Sequence, residues 1–205
     1  MTGIRFLWSP ASQSGEKAAH RAWAILLGAV LLSACTAAQS PSEQFFTNMQ
    51  ALCGKTLTGS VVSDQAVDAD WIGQVLTVGP VTCEPDVMRM PLAVGDDQSR
   101  TWVLGHSGDA LIFRHEHVEP DGSPSAVTDY GGPARADGTA ARQDFPADEA
   151  TKANFTANGI AVSNPNVWTL SIDDEALRYA LARPATDTAP ARDFRAVFPL
   201  GQAKD

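Results

Sequence analysis

Hydrophobic positions change their rhythm three times along the chain. Residues 22–32, Ala-Trp-Ala-Ile-Leu-Leu-Gly-Ala-Val-Leu-Leu, form one uncharged apolar run. Between Ser42 and Gly54, apolar residues at Phe45, Phe46, Met49, Leu52 and Cys53 recur at helical spacing. That spacing predicts a helix over 42–54 with one apolar face, Ser42 as its N-cap and Gly54 as its stop. Beyond it, apolar and polar residues alternate in short runs, which predicts strands over 56–63, 74–82, 87–94, 101–105, 110–118, 126–130, 166–172, 177–183 and 194–200. The breaks carry turn chemistry, such as Gly95-Asp96-Asp97 and Pro120-Asp121-Gly122. A second short helix is predicted over 148–158, between Pro146 and Gly159, and the Gly/Ala/Asp-rich stretch 131–141 reads as an exposed loop.

Successive strands joined by short links suit antiparallel meanders. The predicted fold is mainly β: a single antiparallel β-barrel with a short N-terminal helix and one further short helix. The barrel is preferred to a two-sheet sandwich because closure removes the edges that consecutive strands would expose.

The first run belongs to a different kind of segment. A polar stretch carrying Arg5, Lys17 and Arg21 against Glu16 precedes it, and Leu32-Ser33-Ala34-Cys35 follows it. The run is shorter than the roughly 20 apolar residues a membrane-spanning helix needs. The whole resembles a bacterial lipoprotein signal peptide, with Leu32-Ser33-Ala34-Cys35 as its lipobox. The resemblance implies cleavage before Cys35 and a diacylglyceryl group on that thiol, an anchor that holds a protein to a membrane without a spanning helix. In that family an aspartate after the lipidated cysteine retains the protein in the inner membrane. Thr36 stands there, so the outer membrane, with the domain facing the periplasm, is the expected location. The expected organisation is a signal peptide over 1–34, a tether over 35–41 and a β domain over 42–205.

Removing 34 of the 205 residues leaves 171, the size of one domain with one core. Losing Arg5, Lys17, Arg21 and Glu16 takes the net charge from −9 to −11. Such an acidic domain argues against nucleic acid as a partner. Cys53 and Cys83 remain, an even count in an oxidising compartment, and are expected to form a disulfide.

The segments 52–62, 95–102, 130–132, 143–146 and 166–168, with His115-Glu116-His117, resemble a family of uncharacterised secreted proteins of Gram-negative bacteria. The resemblance spans nearly all of the mature chain and brings no activity with it. The chain departs from that family at Val118 and Glu119, where a further basic or histidine residue is expected.

Candidate chemistry is sparse. His115 and His117 alternate on one predicted strand, so their imidazoles share a face beside Phe113, as two ligands of a transition metal would. His106 is the nearest chemical choice for a third ligand. The opposing reading is a polar hairpin end near Asp121-Gly122. Asp96 and Asp97 offer paired acids for calcium, but lack the spacing of a calcium loop and read better as turn formers with Arg100 as an ion-pair partner. Ser107 beside His106 does not match a nucleophile elbow, because Asp109 stands at its second glycine position. Trp71, Trp102 and Trp168 read either as core or as the walls of a cavity for a small apolar ligand. Two functions follow: a non-enzymatic, membrane-anchored binding or envelope-associated module with no cofactor, or a metal-binding protein or metal-dependent enzyme built on His115 and His117.

Overall fold

A computed structural model describes residues 38–107 and 110–204. The expected signal peptide, Cys35 and the first tether residues lie outside the described residues. The chain begins with α1 (Pro41–Met49) and continues through β1 (Leu57–Val61), β2 (Leu76–Val78), β3 (Thr82–Glu84), β4 (Val87–Val94), β5 (Asp97–Ser107) and β6 (Ala110–His117). It ends with β7 (Tyr130–Pro133), β8 (Arg142–Pro146), α2 (Glu149–Ala157), β9 (Val167–Ile172), β10 (Ala176–Arg183) and β11 (Arg192–Pro199).

All pairings are antiparallel, in the order β7-β6-β5-β4-β2-β1-β11-β10-β9-β8, with β3 paired to β4 off that path. The two ends of the order meet. The Arg135 N–H donates to the Asp144 carbonyl and the Asp148 N–H to the Gly131 carbonyl, each at 2.9 Å. The result is a nearly closed barrel, the architecture expected from the edges that closure removes. Glycines make the seam possible. A Cβ on Gly132 would lie 2.1 Å from the Pro146 carbonyl oxygen, and one on Gly131 (φ +154°) would lie 1.9 Å from that of Phe113.

Several boundaries differ from the sequence reading. The helix is capped by Ser40, not Ser42: the Ser40 side chain accepts from the Glu43 N–H while the Glu43 carboxylate accepts from the Ser40 N–H. Pro41 then occupies the first helical position, where its missing N–H costs nothing. The expected strand 74–82 is two strands, β2 and β3, because Pro80 has no N–H to donate to a ladder. The stretch expected as an exposed loop begins with β7, and β8 follows it; together they form the seam.

The inward side chains of the strands make one continuous core, including Leu57, Val78, Met90, Leu104, Phe145 and Phe198. One end of the barrel is plugged by α1, whose Phe45, Phe46 and Met49 are buried. A disulfide between Cys53 and Cys83, with Cα atoms 5.8 Å apart, ties the end of that plug to β3. Closing 30 residues of chain in this way stabilises the fold by about 3–4 kcal/mol on the chain-entropy account.

Candidate ligand-binding site

The end opposite the plug is hollow. Phe46 of α1 packs edge-on against His106, near the Ser107 end of β5, with ring centroids 4.9 Å apart. Trp102 and Arg100, toward the Asp97 end of the same strand, line a half-open cavity of about 590 Å³. The inward parity of β5 therefore runs from plug to cavity, and β6 does the same: Leu111 and Phe113 are buried along it before His115 and His117 reach the cavity.

The floor and walls are aromatic. Trp102 and Tyr179 stack at 4.5 Å with their planes 14° apart, and Trp102 meets Phe113 and Phe198 edge-on. Trp168, Tyr130 and Phe155 form one wall; Trp71 and Phe194, edge-on at 5.3 Å, form part of another. Trp71 arrives from the connection between β1 and β2, which is pinned over the barrel mouth. Asp68 in that connection is 3% exposed and forms an ion pair with Arg192 at 2.8 Å. Gln65 accepts from the Asp193 N–H and donates to the Ala191 carbonyl. The Arg100 guanidinium lies 5.0 Å over the Trp71 ring, a cation–π contact.

A short hydrogen-bonded relay runs along one side. His115 Nδ1 lies 3.2 Å from the Tyr130 carbonyl, which can only accept, so this nitrogen carries the proton. His115 Nε2 then accepts from the Tyr179 hydroxyl at 3.0 Å. Burial drives the His115 imidazole down to about 3, outweighing the Tyr130 hydrogen bond, and it is neutral at ordinary pH. Burial likewise pushes the Tyr130 phenol up to about 12 and Tyr179 well above its usual range. His117 Nε2 is 3.1 Å from the Tyr130 hydroxyl, and burial, with Arg100 nearby, lowers its pKa. Four rings are thus locked as neutral groups, which suits a wall more than a proton-transfer centre.

His115 and His117 do share the inward face, as their spacing predicted, but both nitrogens of His115 are engaged by Tyr130 and Tyr179. His106 lies four residues along β5 from Trp102, roughly 13 Å at strand rise, and is not brought to them. Among the described residues no three His, Cys, Asp or Glu side chains gather as a metal site. Asp97 does what the turn reading expects: its carboxylate accepts from the Ser99 N–H and pairs with Arg100. Partial burial pushes its carboxyl up, but those hydrogen bonds outweigh it and bring it down to about 2. Arg114 faces outward and pairs with Asp148 at 2.6 Å.

No family model matches the chain, and neither a curated protein nor a solved structure shows significant similarity to it. The site must speak for itself.

Sequence reasoning had marked Trp71, Trp102 and Trp168 as possible cavity walls, and all three line the same cavity. It missed Tyr130, Tyr179, Phe155 and Phe194, and the polar set Asp68, Asn166 and Arg192. Tyr179 and Phe194 sit at inward positions of strands already foreseen, so alternation alone could have marked them. Asp68 carries no such signal, because nothing in a Gln-Ala-Val-Asp-Ala stretch shows that its acid will be buried.

Proposed function

We propose that this protein is a lipid-anchored periplasmic binding module whose barrel mouth receives one small, largely apolar ligand. The observation that carries the reading is the 590 Å³ cavity walled by stacked and edge-on aromatic rings at the unplugged end of the barrel. Concave, mostly apolar pockets of several hundred Å³ with a few placed polar groups are the usual form of small-molecule sites. Barrels of about this girth hold a single such ligand. The anchoring part of the proposal rests on the charged, apolar and lipobox regions of residues 1–35, with Thr36 favouring the outer membrane.

The chain has five tryptophans; Trp8 and Trp23 fall in the expected signal peptide, and the other three all line the cavity. Titrating the full-length protein with bromobenzene, a heavy-atom quencher, should therefore give a saturable quenching component from Trp71, Trp102 and Trp168. Quenching that stays linear in concentration, as for random collision, would sink the binding reading. Mass spectrometry of the protein from its native membrane should find an N-terminal Cys35 carrying acyl groups. An N-terminus upstream of Cys35, or an unmodified thiol, would remove the anchor.

A further inference from the structure

Charge in and around the cavity does not balance. The two histidines and two tyrosines of its lining are neutral, as are Ser125, Ser163 and Asn166. The polar corner of Asp68 and Arg192 is an ion pair closed on itself. Arg100 is held by Asp97 while its guanidinium lies over Trp71. Glu119 remains. It lines the cavity from an exposed position, accepts a hydrogen bond from the Ser125 hydroxyl, and has no cationic partner among the described residues. With Asp97 counted, two positive groups thus meet three negative ones, and the surplus carboxylate is the accessible one at the rim.

The connections around the open end carry the same sign. Residues 62–75, 95–96, 118–129, 158–166 and 184–191 include eight acidic side chains and not one lysine or arginine. Arg183, where β10 ends, donates to the Pro190 carbonyl rather than to a carboxylate. Every exposed large hydrophobic side chain among the described residues also lies on these connections, with Val67 and Ile160 at the cavity itself. An end of this kind draws cations in and turns anions away as they approach. The faces of aromatic rings favour cations as well, and Trp71 already holds one, the chain's own Arg100. Trp71 and Tyr130 are the partly exposed rings of the lining, so theirs is the aromatic surface an incoming molecule can touch.

Resting on the reading of the cavity as a ligand site, we infer that its ligand is a hydrophobic cation: an apolar body against Trp71, Tyr130 and Val127, with an ammonium-like head at the rim beside Glu119. The test uses probes that share one ring system and differ in charge: 1-naphthylmethylamine, 1-naphthalenemethanol and 1-naphthaleneacetate. Their affinities for the full-length protein are measured by isothermal titration calorimetry at neutral pH, in about 20 mM and about 500 mM salt. At low salt the amine should bind with one-to-one stoichiometry, more tightly than the alcohol and at least about tenfold more tightly than the acetate. High salt should narrow that gap, because it screens charges at an exposed rim. Glu119→Gln should cut the amine-to-acetate ratio about threefold or more while leaving the alcohol within about twofold, a readout that general unfolding would not mimic. If the alcohol or the acetate binds as tightly as the amine, or if Glu119→Gln leaves the ratio unchanged, the cation assignment is overturned while the apolar site stands. If none of the probes binds, the site reading itself falls, and the inference with it.

Discussion

Trp102 of β5 and Tyr179 of β10 stack face to face at 4.5 Å, although four strands separate β5 from β10 in the order of the sheet. The rings meet across the lumen, so the barrel is spanned at that level by two side chains in contact. Below them the interior is filled down to the α1 plug; above them it is the cavity. One stacked pair thus sets the depth of the site.

Removing that floor should be expensive and should change the cavity. Trp102→Ala deletes a side chain 3% exposed that touches Tyr179, Phe113 and Phe198. The expected loss is about 3–5 kcal/mol, the range for large aromatic truncations in a core. Tyr179→Phe keeps the ring but strips His115 Nε2 of its donor, for a loss of roughly 1–3 kcal/mol. Urea denaturation of the two variants should rank them in that order. A Trp102→Ala cost below that of Tyr179→Phe would mean the stack is not the structural floor.

Much of this arrangement is legible in the sequence. Alternation placed His115 and His117 on one face and put Trp102 and Trp168 inward, because a strand with one buried face has no other register. The disulfide follows from an even cysteine count and the compartment that the resemblance implies. The seam was not legible: Tyr130-Gly131-Gly132-Pro133 lacks the bulky alternating side chains of a strand, since its role is to let backbone approach backbone. The polar corner was hidden for another reason. Asp68 and Arg192 are 124 positions apart, and only closure of the barrel makes them neighbours.

Acid should weaken the fold in a window set by His115. Its pKa is about 3 in the folded protein and 6.5 when unfolded, so between those values the unfolded chain binds a proton that the native one does not. The stability is therefore present above pH 6.5 and drains away as pH falls toward 3, by up to about 1.4 kcal/mol per unit. His117, also lowered by burial, acts in the same direction. Asp97, held near 2, keeps its full stabilisation above its ordinary 3.8 and gives it up only as pH falls further, toward 2. Between pH 7 and 4.5 the denaturation midpoint of the wild type should fall steeply. In His115→Gln, which has nothing to titrate there, the slope should flatten toward that of His117 alone. An unchanged slope would show that His115 is protonated in the fold.

Closure at the seam makes a sharper claim about space. A methyl on Gly132 would have to displace the Pro146 carbonyl, which lies 2.1 Å from its ideal position. Gly132→Ala should thus cost more than the roughly 1 kcal/mol typical of a point substitution. It should also speed hydrogen exchange at Arg135 and Asp148, whose N–H groups close the seam. Gly122→Ala, at a turn with open space around it, is the control for backbone strain alone, because Gly122 has φ +83° and nothing within 4 Å. Equal costs for the two would mean that β7 and β8 are not pressed together.

The ion pair over the mouth predicts a strongly non-additive cycle. Asp68→Asn leaves Arg192, a partly buried cation, with no counter-charge, and Arg192→Met leaves Asp68, 3% exposed, as a buried anion. Arg192→Met should cost about 3–5 kcal/mol and Asp68→Asn less, because the penalty is the desolvated charge left behind and Arg192 keeps part of its hydration. The double variant removes both charges and should be more stable than either single one. Its connection between β1 and β2 would still be held by Gln65 on β11. Measured by urea denaturation, single costs that simply add would show that the two charges are solvated independently, and that the mouth is not closed over them.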